Sequence, residues 1–394
     1  MQITFKAIRK IPRQLRLTGF GENLVSGGIS FEVIKDNDSS MVKPQFLEFF
    51  AGSGLVAEGL KPHFKAVWAN DICPNKAAVY TANHGSHHFL LGSIEEVEGQ
   101  ELPIAPLAWA SFPCQDLSLA GLNAGIHAER SGLVWHWLRI MDELPKQPPV
   151  LVAENVTGLL SSNGGANYRV LHRALRARGY LVGPMVLDAI NWVPQSRPRV
   201  FVVAVKEGAE LPAQLLDTHP NWMHPGFLVN AIDGLDGCVY WHMPLPKKRK
   251  QALADLVEWD APTDTHDQLE RKISLISLRH KEKLNDETVV VAPGYKRTRA
   301  GKQVLELRFD GVAGCLRTAE GGSSRQELVL KKGDILSTRL LTVRETARLM
   351  GAPDSYQLPG SYNQAYTAMG DAVAVPVARH LAKHLLAPLV ESYG

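Results

Sequence analysis

Short apolar runs alternate with segments of helical spacing between residues 45 and 205, and this alternation restricts the fold more than any other feature. Apolar runs with few polar interruptions are typical of strands buried on both faces of a parallel sheet. They lie at Phe46–Phe50, Ala66–Ala69, Leu107–Phe112, Val150–Ala153 and Val200–Val205. Helical segments lie between them at Asn75–Asn83, Leu133–Leu144 and Tyr168–Arg178, with Gly179 as a C-cap. Repeated βαβ units predict an α/β fold with a doubly wound, mostly parallel sheet.

The periodicity is lost after Val205 and returns near residue 339. Residues 206–338 carry scattered Pro and Gly without a clear period, whereas Thr342 and Glu345 have the spacing of a capping box. A final helix is expected over Ala372–Leu386. We therefore predict a first part of the sheet over residues 41–205, a smaller irregular domain over 206–338 and a return to the sheet over 339–394.

Residues 1–40 form a separate extension, whose first 20 residues carry five basic side chains and no acidic one. The simplest interpretation is a poorly ordered extension. A DNA-contacting arm and a targeting peptide stay open as alternatives.

Composition excludes several classes of protein. No run of 18 apolar residues occurs, so no membrane span is expected. Cys73, Cys114, Cys238 and Cys315 lie far apart without a Cys-x-x-Cys pair, which argues against a disulfide framework or a metal site and suits a reducing compartment such as the cytoplasm. For all but Cys114 we expect packing roles. The net charge of +3 is too small to indicate a nucleic-acid partner by itself.

A nucleoside-binding loop is indicated after the first apolar run, at Phe50-Ala51-Gly52-Ser53-Gly54. Glycines at this place let the backbone turn sharply beside a ligand, and Asp71, at the end of the next run, can accept hydrogen bonds from a ribose diol. A phosphate-binding Gly-x-x-x-x-Gly-Lys loop is absent from the sequence, as is the third glycine of a dinucleotide fingerprint. An adenosine ligand without a pyrophosphate, S-adenosylmethionine above all, fits this pattern.

Three further polar signals fall at successive strand ends. Cys114 follows Pro113 beyond the third run, Glu154 follows the fourth, and Arg197 and Arg199 lead into the fifth. A carboxylate at the end of a buried strand is costly unless it is paired or functional. Any one of these signals could be a surface ion pair, but together, at successive strand ends, they predict a catalytic cleft.

These motifs resemble the DNA (cytosine-5)-methyltransferase family, in the family's order over roughly residues 45–390. The matching segments are the loop 50–54, Pro113-Cys114-Gln115, Glu154-Asn155-Val156, Gln195-x-Arg197-x-Arg199, Arg339–Glu345 and Gly370-Asp371-Ala372-Val373. The resemblance implies an S-adenosylmethionine-dependent methyltransferase fold with a target-recognition domain over 206–338. The chain departs from the family at Leu55, where a second glycine is usual, at Ser93, where an Asp is common, and at Asp371, where Asn is usual.

The resemblance also implies roles for these residues. Cys114 would attack C6 of cytosine, Glu154 would hold the N3 and amino edge and protonate N3, and Arg199 would bind the O2 side. Gln115 belongs to the nucleophile motif, and Arg197 would brace the site or bind a phosphate. The cofactor would contact Phe50, Ala51, Gly52, Ser53, Gly54, Asp71, Ile72, Ser93, Pro113, Asp371 and Ala372. Asp371 and Ala372 would use mainly backbone N–H groups.

The implied substrate is double-stranded DNA, from which the target cytosine is flipped so that the catalytic residues can reach it. The segment from Gln115 to Gly125, which contains Ser118, would close over the flipped base. Two segments rich in basic and polar residues, 294–302 and 314–326, would contact DNA as exposed loops. Their proposed contact residues are Lys296, Arg297, Arg299, Arg317, Ser323, Ser324, Arg325 and Gln326.

The leading hypothesis is a monomeric bacterial or phage modification enzyme that acts on cytoplasmic, nucleoid-associated DNA. A partner restriction endonuclease is left open by the sequence. The same chemistry on RNA is a close rival, since a branch with this fold methylates tRNA. A DNA-binding protein with a dead site is disfavoured by the intact Cys114, Glu154 and Arg199. A cysteine hydrolase is disfavoured because no histidine stands in a recognisable partner motif.

Overall fold

The computed structural model describes residues 42–113, 132–318 and 325–393, and its main feature is a seven-stranded sheet. Its strands are β1 (Gln45–Phe49), β2 (Lys65–Asp71), β3 (Phe89–Leu91), β4 (Leu107–Ala110), β5 (Val150–Val156), β6 (Tyr180–Asp188) and β7 (Pro198–Lys206). They lie side by side in the order β3-β2-β1-β4-β5-β7-β6. β7 is antiparallel to β5 and β6, and the other neighbouring pairs are parallel. The predicted α/β fold with a mostly parallel sheet is confirmed.

Both faces of this sheet are buried, which explains why its strands read as continuous apolar runs. In β5, Val150 and Val152 belong to one hydrophobic core, whereas Leu151 and Ala153 belong to another. Successive side chains of a strand point to opposite faces, so each face needs an apolar residue at every second position. The doubly wound arrangement follows from these two cores.

Helices of the first half connect the strands. They are α1 (Leu55–Leu60), α2 (Pro74–His84), α3 (Leu133–Glu143), α4 (Gly158–Ser161) and α5 (Ala166–Arg176). The helices expected near residues 75, 133 and 168 are confirmed, with ends that differ by a few residues. α5 is followed by Gly179, which has a φ of +75° and donates its N–H to the carbonyl of Arg176. A left-handed residue at this place favours glycine, although the C-cap of α5 is Ala177 and not Gly179 as predicted.

Residues 206–338 contain more regular structure than their sequence pattern indicates. They form α6 (Gly226–Ile232), α7 (His266–Ser274), α8 (Leu278–Leu284), β8 (Leu216–Asp217), β9 (Tyr240–Trp241), β10 (Val291–Arg299), β11 (Lys302–Leu307) and β12 (Glu327–Lys332), while β13 (Ile335–Leu340) reaches past the interval. The last four strands form an antiparallel sheet in the order β11-β10-β12-β13, with a small core that includes Leu305 and Val329. Trp241 and Leu256, by contrast, are buried in a core of the main sheet. The small core therefore begins well after residue 206.

The C-terminal segment forms α9 (Val343–Leu349), α10 (Tyr362–Gly370), α11 (Val375–Leu381), a π-helical segment (Ala382–Leu386) and α12 (Ala387–Glu391). The predicted capping box begins α9, since the Thr342 Oγ1 accepts from the N–H of Glu345 and the Thr342 N–H donates to the Glu345 carboxylate. α11 packs closely on α1, where a Cβ added to Gly59 would lie 2.6 Å from that of Ala378. The C-terminal helices thus lie against the main sheet.

Within residues 42–113, 132–318 and 325–393, no helix has both the length and the apolar character needed to cross a membrane. In the same ranges, no group of three or more His, Cys, Asp or Glu side chains is placed to hold a metal ion. The predicted extension over residues 1–40 lies outside the described residues.

Candidate active site

A cavity of about 190 Å³ opens at the carboxyl ends of β1 and β2, where open α/β sheets bind ligands. All but one of the residues expected to bind the cofactor line it: Phe50, Ala51, Gly52, Ser53, Asp71, Ile72, Ser93, Pro113, Asp371 and Ala372. The cavity therefore brings together the first two strand ends, the end of β4 and the segment after α10.

Gly54 is the exception. It has a φ of +80°, and an added Cβ would lie 2.6 Å from the ring of His84 and 2.9 Å from that of Tyr80. The glycine thus permits close packing between the start of α1 and the side chains of α2. Gly54 is therefore not part of the cavity lining, and its expected contact with the cofactor stays a prediction.

Asp71 organises the loop that forms the cavity floor. One carboxylate oxygen accepts the N–H of Gly52 at 2.9 Å, and the other accepts the N–H of Cys73, the N-cap of α2, at 2.8 Å. Phe50 in this loop has a φ of +55°, a left-handed conformation that is strained for a residue with a side chain. Since a carboxylate has about four acceptor sites, Asp71 can hold the loop and still accept ribose hydroxyls.

A lysine that the sequence reasoning missed pairs with Asp371 in the cavity wall. The Nζ of Lys76, on α2, lies 2.6 Å from the Asp371 Oδ2, and both residues line the cavity. The pair joins positions almost 300 residues apart, so no local pattern in the sequence signals it.

The two central catalytic candidates lie together beyond this cavity. Glu154 is at the end of β5, and its Oε1 is 3.3 Å from the Nε of Arg199 at the start of β7. Burial raises the pKa of the Glu154 carboxyl, although Arg199, Arg197 and the Ser111 hydroxyl act in the opposite direction. The carboxyl therefore holds a proton more readily than an exposed glutamate does.

Arg197 is buried and braces the two walls of the site. Its guanidinium donates to the carbonyls of Gly370 and Ala372 at 2.8 and 2.6 Å, and to the Leu316 carbonyl at 3.1 Å. Burial and the charge of Arg199 lower its pKa to about 10. These contacts are those of a positioning residue and leave the group little access to a phosphate.

The predicted nucleophile Cys114, together with Gln115 and Ser118, lies outside the described residues. The strand end that leads to it is described, and Asn155 holds it by donating from its side-chain amide to the Phe112 carbonyl at 3.0 Å. Asn155 follows Glu154 directly, so β5 supplies both the buried acid and a support for the neighbouring strand end.

A second, larger opening of about 800 Å³ lies between the small sheet and the start of β7, and we call it the basic cleft. Arg297, Arg299 and Arg317, which were predicted to contact DNA, line it, together with Arg279, His280 and Arg308, which the sequence reasoning did not select. The guanidinium groups of Arg297 and Arg317 lie 5.3 and 5.7 Å from the centre of the Tyr295 ring. The tyrosine therefore orients two cations in the basic cleft.

Several predicted DNA contacts are placed differently. Residues 294–302 were expected as an exposed loop, but they form β10 and the turn into β11. Lys296 is paired with the buried Glu327 at 2.8 Å. The prediction that Gln326 reads base edges is wrong, because its side chain is fully buried and donates to the Gly314 carbonyl. Arg325 donates to Asn363 at 3.2 Å, and Ser323 and Ser324 lie outside the described residues.

Cys315 also differs from its expected packing role. Its Sγ lies 3.2 Å from Nη1 of Arg197 and within 4 Å of both terminal nitrogens of Arg199. The residue lines the basic cleft, and its carbonyl accepts from the Tyr295 hydroxyl at 2.6 Å. The other two cysteines of the described ranges, Cys73 and Cys238, are partly buried free thiols.

A buried ion pair joins the small sheet to the C-terminal helices. Arg339, on β13, donates both terminal nitrogens to the carboxylate of Glu345 on α9, and it also donates to the Glu258 carbonyl. The pair therefore fixes the end of the small sheet against the C-terminal helices.

Comparisons with known proteins agree with this geometry. A family model described as C-5 cytosine-specific DNA methylase matches residues 44–387. Similar curated proteins include the type II methyltransferase M.Bsp6I of Bacillus sp. (strain RFL6), 26% identical over 86% of this chain and 98% of its own length. M.NlaX of Neisseria lactamica is 27% identical over 88% of this chain and 97% of its own length. M.HhaI of Haemophilus parahaemolyticus is 26% identical over 90% of this chain and 97% of its own length.

Similar folds occur among solved structures. The Dnmt2 methyltransferase of S. pombe has a TM-score of 0.56 at 17% identity and covers 86% of this chain and 97% of its own. A DNMT2 mutant of Spodoptera frugiperda has a TM-score of 0.60 at 18% identity and covers 86% and 99%. At these identities the likeness concerns the fold.

Proposed function

The chain belongs to the family of C-5 cytosine-specific DNA methylases, and we propose that it methylates C5 of a flipped cytosine through Cys114, Glu154 and Arg199. The observation that carries this assignment is the buried Glu154 carboxyl beside the Arg199 guanidinium. Together they present a proton donor and a cation at one edge of the sheet. That combination suits the Watson–Crick edge of cytosine, which offers N3, O2 and an amino group.

Glu154 binds and activates the base in this proposal. Its raised pKa favours a protonated carboxyl, which can donate to N3 while its second oxygen accepts from the amino group. Arg199 donates to O2, where negative charge also develops. Both groups act in a buried site, where such interactions are stronger than in water.

Cys114 supplies the nucleophile. Its thiolate forms a bond to C6, the ring electrons move toward N3 and O2, and Glu154 transfers its proton to N3. C5 then carries enough electron density to accept a methyl group from a sulfonium, and a neutral thioether would be the leaving group. A base removes the C5 proton, the electrons restore the C5–C6 double bond, and the bond between sulfur and C6 breaks. The N3 proton returns to Glu154, so that neutral 5-methylcytosine and the Cys114 thiolate are released.

The cavity residues fit S-adenosylmethionine, which supplies an electrophilic methyl group when bound. Asp71 can accept ribose hydroxyls, while Phe50 and Ile72 offer apolar contacts to an adenine. Lys76 and Asp371 provide charges of both signs for an amino-acid end. Ser93 and Pro113 complete the wall of the cavity.

Duplex DNA would lie along the basic cleft. We assign phosphate contacts to Arg297, Arg299 and Arg317, since guanidinium groups neutralise and position the backbone. Gln115 and Ser118 would close over the extruded base. Because relatives of similar length are named as bacterial type II methyltransferases, we also propose a monomeric bacterial or phage modification enzyme acting on cytoplasmic DNA.

The nucleophile assignment is tested with DNA that contains 5-fluorocytosine at the mapped target. Fluorine at C5 cannot leave as a proton does, so the purified chain with S-adenosylmethionine should form a covalent complex that survives denaturing electrophoresis. The Cys114→Ser variant should form none while still binding the duplex. Trapping by that variant at the normal level would contradict the assignment.

A further inference from the structure

Three charged side chains line the cofactor cavity within the described residues: Asp71, Lys76 and Asp371. Asp71 is bound to the N–H groups of Gly52 and Cys73, and Lys76 is the sole cation of the three. Its Nζ lies 2.6 Å from Asp371, and the two side chains are 21% and 34% exposed. The pair is thus partly open to whatever occupies the cavity.

The lysine stays charged in this place. Burial acts to lower the pKa of Lys76, but the Asp371 carboxylate beside it, with Asp71, outweighs burial and raises that pKa above its ordinary value. An ammonium has three N–H donors, so the bond to Asp371 leaves donors for a second acceptor.

An unpaired carboxylate at position 371 would repel the carboxylate of a bound amino acid. Lys76 removes this conflict, because it neutralises Asp371 and adds a positive charge to the same wall. We propose, as an inference that rests on the proposed function, that Lys76 and Asp371 together bind the amino-acid end of S-adenosylmethionine. Lys76 contacts its carboxylate and Asp371 contacts its ammonium. Lys76 is then a specificity-determining residue for ligands that carry this end.

A purely structural role would be to tie α2 to the C-terminal helices. Other bonds already do this, since the Asn75 Oδ1 accepts from Gln364 at 2.8 Å and Asn83 exchanges two hydrogen bonds with the backbone of Gln357. Loss of the lysine charge should therefore leave the helices in place. Asn75→Ala is a matched control, because it removes a contact between α2 and α10 beside Lys76 without altering the cavity lining.

The test measures ligand binding by calorimetry on the full chain. S-adenosylhomocysteine carries the amino-acid end, and 5′-methylthioadenosine lacks it. Lys76→Met should weaken the affinity for S-adenosylhomocysteine by about 10- to 100-fold, the range expected for one charge-assisted contact. The affinity for 5′-methylthioadenosine should change by less than about twofold. Lys76→Arg should retain most of the preference, and Asn75→Ala should bind both ligands normally.

Equal weakening of both ligands by Lys76→Met would overturn the proposal and assign the pair a structural role. Unchanged binding of S-adenosylhomocysteine would also overturn it. If the unaltered chain bound neither ligand, the cofactor assignment itself would fail, and this inference with it.

Discussion

Replacement of Arg197 by methionine should be among the most destabilising single changes at the site. Methionine keeps much of the apolar length but leaves the carbonyls of Leu316, Gly370 and Ala372 without their donor. A buried acceptor that loses its partner costs about 1–3 kcal/mol. Relaxation and water entry recover part of the sum, so we expect a loss of about 3–5 kcal/mol, as for a broken buried charge network.

Urea unfolding of the unaltered chain and of the Arg197→Met variant measures this loss of stability directly. The variant should unfold at a lower urea midpoint, with an unchanged dependence of the free energy of unfolding on urea concentration. Arg279→Met is the matched control, because Arg279 is an exposed arginine of the basic cleft and its replacement should cost less than about 0.5 kcal/mol. The Arg197 variant should also bind S-adenosylhomocysteine more weakly, since Gly370 and Ala372 hold the segment beside the cavity. A destabilisation below about 1 kcal/mol would refute the bracing role.

Three further predictions follow from charge and burial. Glu154→Gln should lower kcat by about 10²- to 10⁴-fold. It should also remove the fall in kcat that the unaltered chain shows as pH rises through the raised pKa of Glu154. An unchanged pH profile would contradict the proton-donor role. Burial also holds the pKa of the Glu48 carboxyl well above its ordinary value. Its contribution to stability is therefore present at low pH and lost as pH rises, so Glu48→Gln should stabilise the fold at neutral pH and lose that advantage in acid, as urea titrations at several pH values will show. Arg297→Ala should weaken duplex binding and reduce the slope of log K against log salt by about 0.9, and an unchanged slope in fluorescence anisotropy would exclude a phosphate contact.

Much of the main sheet could be predicted because its signals are local. β4 and β5 are buried on both faces, so their composition alone indicates strands. The polar residues at their ends, Glu154 among them, meet because parallel strands end at one edge. Asp71 and the glycine loop follow the same rule.

Strand β6, which was not among the predicted apolar runs, shows where this reasoning fails. Gly183 and Pro184 interrupt its apolar pattern, and the reason for the glycine is distant in the chain: an added Cβ would lie 2.1 Å from the indole of Trp241. The antiparallel direction of β7 is likewise invisible locally, since alternation is the same for either direction.

Several residues predicted to contact DNA were expected to be exposed, but the fold buries or pairs them. Gln326 is buried by contacts with Gly314 and Tyr366, and Lys296 is neutralised by Glu327. Lys76 was not predicted as a site residue, because its partner Asp371 is brought to it only by the folded chain. Tertiary partners decided the role of each of these side chains.

The central claim is tested most directly by mapping 5-methylcytosine in DNA from cells that lack cytosine methylation and express the full chain. The account predicts methylation at C5 within one defined sequence context, and none in cells that express the Cys114→Ser variant at the same level. Methyl groups in RNA instead of DNA, unmethylated DNA despite folded protein, or equal methylation by the variant would contradict it.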